Sequence, residues 1–351
     1  MTLIIAESFE QISGQTDLLK RWAARSTGLT FDASVKKNGR QSMLANPGTE
    51  TLRYDFTSHY AGRVYVSFWF RFKDELSGYS KIMNFWTNNA TWQGLGLYLS
   101  ANHRLGWKNG YEPISGLSES EIQLLPLIWY HVEVCGRMHA SIDADDCRVK
   151  INGVLDSALT MPATTDTRNG GFDEIGGVHI GRGPRDTWFD NVVIWDAEGA
   201  GTFSDDFIGM VQFQTLAPDG NGTTSDFTGS DADQVDNYLH LDEDEPDGDT
   251  SYIESSTVTD VDLHAYPALS PTPGLIVGVQ SFLVAKKTDS DARGIKPITR
   301  VAGTNYQGDE VTLTNGTYEW TAYMWDDNPD DAAAWEEADV NGAEFGTEVT
   351  T

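Results

Sequence analysis

Residues 64–72 read VYVSFWFRF. Val64, Val66, Phe68, Phe70 and Phe72 alternate with Tyr65, Ser67, Trp69 and Arg71 in a period-two run of nine residues. Successive side chains of a strand point to opposite faces, so the pattern predicts a β-strand with one strongly apolar side. The same texture repeats outward from it. Leu95, Leu97 and Leu99 form a second alternating run, 130–134 a third and 148–151 a fourth. Asn152-Gly153 marks a tight hairpin turn before 154–159, and 178–180 and the opening stretch add further strands. Helical periodicity is nearly absent. Many strands 8–15 residues apart without helices between them predict an antiparallel sandwich or jelly roll.

From residue 203 the texture changes. PDGNGTTSDFTGSDAD (218–233) and DEDEPDGDTSY (242–252) are turn and loop chemistry. Strand signals return at 251–257, 275–286 and 318–325, while 332–340 reads as a short helix and 344–349 as an edge strand. The expected organisation is an all-β chain, with a jelly-roll sandwich over 1–202 and a smaller, loop-rich β domain over 203–351.

Charge divides the chain at the same place. Residues 1–200 hold 19 Lys and Arg against 23 Asp and Glu, a net −4, whereas residues 201–351 hold 5 against 30, a net −25. The total of −29 repels phosphate backbones and anionic bilayers, so neither nucleic acid nor membrane is an expected partner. No stretch approaches the ~20 apolar residues of a membrane helix. The apolar run from Leu3 to Ala6 is far shorter than a signal-peptide core, so folding in a cytoplasm is the expectation. Cys135 and Cys147 fall on opposite strand faces in the predicted register and are expected to be free, structural thiols.

The order of the pieces carries a resemblance. SFWFRF, WYHVEV, VKINGVL, IGGVHIGRG and WFDNVVIWD, spread over about the first 200 residues, resemble the laminin-G-like, concanavalin A-like jelly roll, in which such phrases follow one another in this order. The second half resembles the carboxy-terminal region that follows a laminin-G-like domain in structural proteins of tailed bacteriophages and prophages. The phrases that carry this likeness are VQFQTLAPDGNGTTSDFTGS, NYLHLDEDEPDGDTSYI, GLIVGVQSFLVAKKTDSDARGIKP and AAAWEEADVNGAEFG. Together the resemblances imply a non-enzymatic virion component, a capsid decoration or a tail-associated part, assembled in the host cytoplasm and partnered by other virion proteins. The acidic half would suit docking on a basic ring or shell.

Jelly-roll glycoside hydrolases need two carboxylates facing each other across a cleft. Glu133 stands alone, Asp190 and Asp196 are six residues apart, and Glu119 and Glu121 have suitable spacing but sit in the turn-like SGLSESEIQ. Asp190 reads as a buried hydrogen-bond acceptor. Glu243, Glu245, Asp247, Gly248 and Glu254 can be laid on a calcium-loop template, but Glu stands where Asp is needed, Pro246 interrupts and a β pattern follows. No G-x-S-x-G, P-loop or zinc motif occurs, so no metal or cofactor is expected. A host surface glycan is the alternative ligand. Trp86, Trp92, Trp107 and Tyr111 cluster in sequence with Asn88, Asn89, Asn102 and Asn109, and of these Trp92, Trp107, Asn109 and Tyr111 are the candidate sugar contacts.

Residues 188–196, WFDNVVIWD, break the alternation by being apolar on both sides. Unbroken alternation places Phe189, Val193 and Trp195 on one face and Trp188, Val192 and Ile194 on the other. One row would then lie outside the sandwich, forgoing roughly 1.5–3 kcal/mol per residue if bare. Trp188, Val192 and Ile194 are therefore expected to form an interface, and a homotrimer is the assembly expected to cover them.

Overall fold

The computed structural model describes residues 2–351 apart from 13, 26–27, 47–50, 74–77, 88–92, 111, 115–116, 169, 183–185, 200, 204–205 and 315. The chain forms two compact units. The first comprises Met1–Ala200 and Ser204–Phe213, and the second Gly201–Phe203 and Gln214–Thr351.

The first unit is an antiparallel jelly-roll sandwich. One sheet runs, in spatial order, Val154–Leu155, Arg148–Ile151, Tyr130–Gly136, Val64–Phe72, Thr187–Asp196, Ser42–Ala45 and Leu29–Asp32, with Thr2–Glu7 also paired to Thr187–Asp196. The other runs Glu112–Pro113, Leu105–Asn109, Gln93–Leu99, Ser80–Thr87, Ile175–Arg182, Leu52–Tyr60 and Ala24–Arg25. The VYVSFWFRF strand lies in the middle of the first sheet, between Tyr130–Gly136 and Thr187–Asp196. Its alternating row, Val64 to Phe72, is fully buried, as are Leu95, Leu97 and Leu99 of the second sheet. Contact between the two inner faces is close. A Cβ at Gly136 would stand 2.1 Å from Phe85 Cε2, so only glycine admits that ring.

The WFDNVVIWD strand is corrected by a bulge. Phe189 pairs with Phe70 and Asp190 with Trp69, but the next partners are Val193 with Ser67 and Ile194 with Val66. Asn191 and Val192 together stand opposite Phe68, one residue more than the register needs, and Asn191 takes a left-handed φ of 49°, which Asn tolerates better than most side chains. This single insertion exchanges the two faces at mid-strand. Phe189 and Ile194 share the inner face, while Trp188, Asp190, Val193 and Trp195 share the outer one with Arg71, Trp69, Ser67 and Tyr65.

The outer row is not bare. Trp188, Val192 and Ile194 are all buried within the single chain, so the expectation that they form a subunit interface lacks its premise. Trp195 stacks on Tyr65 at 5.2 Å, and Phe207 meets Tyr65 edge-on at 5.8 Å. Trp69 Nε1 donates to the Val211 carbonyl, Gly209 N donates to Glu133 Oε1 at 2.8 Å, and Asn38 Nδ2 reaches the Phe213 carbonyl. Residues 206–213 thus cross the outer face as a strap belonging to the first unit. At the other end, Trp188 Nε1 donates to Asp32 Oδ2, with the Arg71 guanidinium over its ring. The thiols of Cys135 and Cys147 are free and buried.

The second unit is smaller and rich in irregular chain. Its six-stranded sheet places Glu344–Val349 between Val261–Ala265 and Arg293–Val301, so the strand expected at an edge is interior. Gly346 permits this position, because a Cβ there would strike the Asp262 carbonyl at 1.8 Å. The helix is shorter than expected, Glu337–Gly342, and begins with a reciprocal cap between Glu336 and Asp339. Val279–Ala285 and Glu319–Trp325 form a separate ribbon, and Trp325 packs with Trp335, Val301 and Ala343. Acidic side chains stabilise the loops: Asp231, Asp233, Asp289 and Asp331 each accept a backbone N–H two residues onward. Part of the charge excess in this half is therefore turn chemistry.

Candidate functional site

The outer face of the second sheet brings chemistry-bearing side chains into rows. Cross-strand pairing links Lys108 to Gly96, Gly96 to Asn84, Asn84 to His179 and His179 to Arg53, one continuous row over five strands. Beside it Trp86 pairs with Gly177 and Gly177 with Asp55, and on the other flank Gly106, Tyr98 and Lys81 are successive partners. Paired residues share a face, so these form one surface opposite the core.

Trp86 is its centre. Its ring stacks with His179 at 5.5 Å and 27°, and the Arg53 guanidinium carbon lies 5.0 Å from its centroid. Gly177 makes room for the ring: a Cβ there would fall 2.8 Å from Trp86 Cδ1 and Nε1, and 2.3 Å from the Tyr54 carbonyl. Arg53 Nη2 holds Asp55 Oδ2 at 2.8 Å. Asn84 is fully buried and gives its amide N–H to the Phe85 carbonyl at 3.2 Å.

Four polar atoms of this face are buried without a hydrogen-bond partner: Arg53 Nε, Asp55 Oδ1, Asn84 Oδ1 and Trp86 Nε1. Leaving a buried donor or acceptor unmatched costs roughly 1–3 kcal/mol each. Two donors and two acceptors thus lie unmatched and buried within this face.

Of the sequence candidates, Trp107 does not belong to this face. It pairs with Leu97 on the inner side, is 3% exposed and donates from Nε1 to the Leu159 carbonyl. Asn109 pairs with Leu95 on that same side and donates to the Arg168 carbonyl, although its Oδ1 has no partner. Trp92 and Tyr111 lie outside the described residues, as do Asn88 and Asn89. Trp86 is the member of the cluster that the fold puts on the site. Arg53, Asp55 and His179 are missed by the sequence reading because they sit more than 30 residues from Trp86 and meet it only through strand pairing.

The carboxylates considered for catalysis are dispersed. Glu133 and Asp190 are buried beneath the strap side of the first sheet. Asp190 Oδ2 accepts from Lys37 N and Oδ1 from Asn191 N, the acceptor role expected, and burial pushes its carboxyl up to about 7. Nearby, Ser67 Oγ contacts His131 Nε2 at 2.8 Å, a nucleophile-and-base pair in composition. Both are fully buried, and burial pushes the imidazole down to about 4, so it is neutral. Glu119 and Glu121 border an open hollow of about 340 Å³ with Ser157, Ala158 and Thr160, and Glu119 accepts from Ser100 Oγ. In the second unit Glu243 accepts from Ser251 Oγ and Asp247 from Ser251 N, so two residues of the calcium-loop template are engaged with the loop itself.

No protein-family model matches the chain. No curated protein matches it either. Among solved structures, the cellulose-induced protein Cip1 is 18% identical, with 54% of this chain aligned to 96% of that one at a TM-score of 0.42. Domain 4 of AbnA, an extracellular arabinanase from Geobacillus stearothermophilus solved with arabinotriose, is 16% identical over 56% of this chain and 92% of that domain, TM-score 0.36. Trypanosoma rangeli sialidase is 16% identical over 48% of this chain at a TM-score of 0.30, and the alignment spans 30% of the sialidase.

Proposed function

We propose that the protein is a non-enzymatic saccharide-binding component of a tailed-phage particle, and that the outer face of the second sheet is its glycan platform. The observation that carries this reading is the row around Trp86. Trp86 is 9% exposed, packed against the half-buried His179 and Arg53, so a saccharide would meet those three side chains, with the unmatched donors and acceptors of Asn84, Asp55, Arg53 and Trp86 buried directly beneath. Hydroxyl groups supply both from one atom. Catalysis is not part of the proposal, because Asp55 is the carboxylate among the described outward positions of this face and it is tied to Arg53. The particle setting rests on the sequence resemblance, and the strap removes the need for a second copy to cover the first sheet.

A glycan array followed by titration calorimetry tests the reading. Wild type is expected to bind a saccharide without releasing reducing sugar, and Trp86→Ala and Asn84→Ala to weaken binding at least about tenfold while circular dichroism stays unchanged. Binding equal to wild type in both variants removes the site. Immunogold labelling of purified particles tests the setting, and absence of the protein from them would refute it.

A further inference from the structure

We propose that a second copy of this chain docks on the free edge of the first sheet, joining the two sandwiches about a two-fold axis beside Leu155. The inference is independent of the saccharide reading, and it concerns the edge of the sheet, not the outer face that the strap covers. Val154–Leu155 is the last strand of the sheet on that side. Asp156 N donates to the Val149 carbonyl at 2.9 Å, which makes Val149 and Asp156 a hydrogen-bonded pair. Antiparallel ladders alternate, so the next pair, Lys150 with Leu155, is of the open kind, and Leu155 turns its N–H and C=O away from the sheet. An identical edge running antiparallel accepts that N–H and supplies one to that C=O. One residue then serves both copies, which is the isologous arrangement of a two-fold dimer.

Apolar side chains surround this edge. Ile122, Leu125, Leu127, Ile128, Val154 and Leu155 are between 39% and 63% exposed, and they are six of the nine exposed large apolar side chains among the described residues of the first unit. Two ties bring their segments together. At one end Ser120 Oγ donates to Asp156 Oδ2; at the other Asn152 N donates to the His131 carbonyl and His131 N to Asn152 Oδ1. The stretch 122–128 therefore runs alongside 154–155, and neither contains a charged residue.

Charge favours a second copy at this place. Residues 1–200 carry −4 and residues 201–351 carry −25, so two chains approach each other with least repulsion through their first units. A basic partner would be drawn to the acidic half instead of to an uncharged edge. Six half-exposed side chains on each copy make an interface at the small end of the range for specific contacts, so association is expected to be weak, with a dissociation constant on the order of 10 µM.

Sedimentation velocity of the full chain, from about 1 to about 300 µM, tests this. The expected result is a monomer at the low end and twice its mass at the high end. The dimer should strengthen between about 50 and about 500 mM NaCl, as screening relieves repulsion between the acidic halves. Leu155→Pro removes the outward N–H at an edge position where proline is tolerated, and Leu125→Lys places a charge in the apolar stretch. Each should weaken association at least about tenfold with circular dichroism unchanged, and Ile128→Lys replaces Leu125→Lys if that variant does not fold. Leu19→Lys, at a 48% exposed position in the helix Gln15–Arg21, should dimerise as wild type does. In wild type the Leu155 amide should exchange its hydrogen at least about tenfold more slowly in the dimer than in the monomer. A chain that stays monomeric at about 300 µM, a dimer unweakened by Leu155→Pro or Leu125→Lys, or a Leu155 amide unprotected in the dimer overturns the proposal. A monomer that pellets with phosphatidylcholine vesicles assigns the stretch to a lipid surface and overturns it as well.

Discussion

Removing the Phe207 ring tests whether the strap is what makes the first sheet's outer face habitable. The ring meets Tyr65 edge-on at 5.8 Å and lies under two cations, with Lys150 Nζ 4.6 Å and Arg148 Cζ 5.1 Å from its centroid. Behind it the Tyr65–Trp195 stack is fully buried. Truncating a fully buried Phe costs about 3–5 kcal/mol; this ring is half-buried, which brings the packing loss to about 2 kcal/mol. The aromatic contact and the cation contacts add about 1 kcal/mol, for a total near 3 kcal/mol. With an m-value near 3 kcal/mol/M for a unit of this size, Phe207→Ala should lower the urea midpoint of the first unit by roughly 1 M. The two units are followed as separate transitions, by near-ultraviolet dichroism and tryptophan emission. Acrylamide quenching should rise as Trp195 and Tyr65 become accessible. Leu239→Ala, at an exposed position in the second unit, serves as control and should change stability by less than about 0.5 kcal/mol. A midpoint shift below roughly 0.2 M in Phe207→Ala, with quenching unchanged, would refute the role assigned to the strap.

Two further outcomes concern buried titratable groups. Burial raises the carboxyls of Asp190, to about 7, and Glu133, so the folded state holds their protons more tightly than the unfolded chain does and stability falls as pH rises from about 4 toward 7. His131, lowered to about 4, acts oppositely, losing stability as pH falls from about 6.5 to 4. The wild-type first unit should therefore vary little between pH 4.5 and 6.5, whereas His131→Gln should gain stability on acidification; a loss in that variant would contradict the assignment. Both thiols should resist Ellman's reagent in native buffer and react on denaturation, since each is buried and burial pushes Cys135 up to about 12 and Cys147 higher still. Rapid labelling of either in the folded protein would argue against that packing.

Much of the first unit was legible because its strands announce themselves one face at a time. Val64 to Phe72 and Leu95 to Leu99 alternate, and both lie where alternation puts them. Ser80–Thr87 was not recognised, since every residue in it is buried and its apolar run has no polar beat beyond Asn84. In the second half, Arg293–Val301 was missed for a related reason: Pro297 stands at its centre, opposite Thr347, where a sequence reader expects a strand to stop. The calcium-loop template fails on residue type, on Pro246 and on the β pattern that follows it, and the carboxylate pairs fail on spacing or on turn context.

The facing of WFDNVVIWD departs from the alternation for a physical reason. Period-two reasoning assumes that each residue advances the register by one, and WFDNVVIWD violates this at Asn191 and Val192. An Asn with positive φ is a weak mark in sequence, because Asn occupies ordinary loops and strands as well. Once the bulge is in place the outer row becomes Trp188, Asp190, Val193 and Trp195, aromatic at both ends and acidic between. Such a row suits a covering segment that supplies both backbone donors and a ring. The loop at Lys37 and Asn38 supplies the donors to Asp190, and Phe207 supplies the ring beside Tyr65. With the first sheet thus covered by its own chain, buried unmatched polar atoms still remain on both outer faces: Arg71 Nε, His131 Nδ1, Glu133 Oε2 and Trp195 Nε1 on the first, Arg53 Nε, Asp55 Oδ1, Asn84 Oδ1 and Trp86 Nε1 on the second. What sets the first sheet apart is the strap, which Trp69 and Glu133 hold by hydrogen bonds to its backbone.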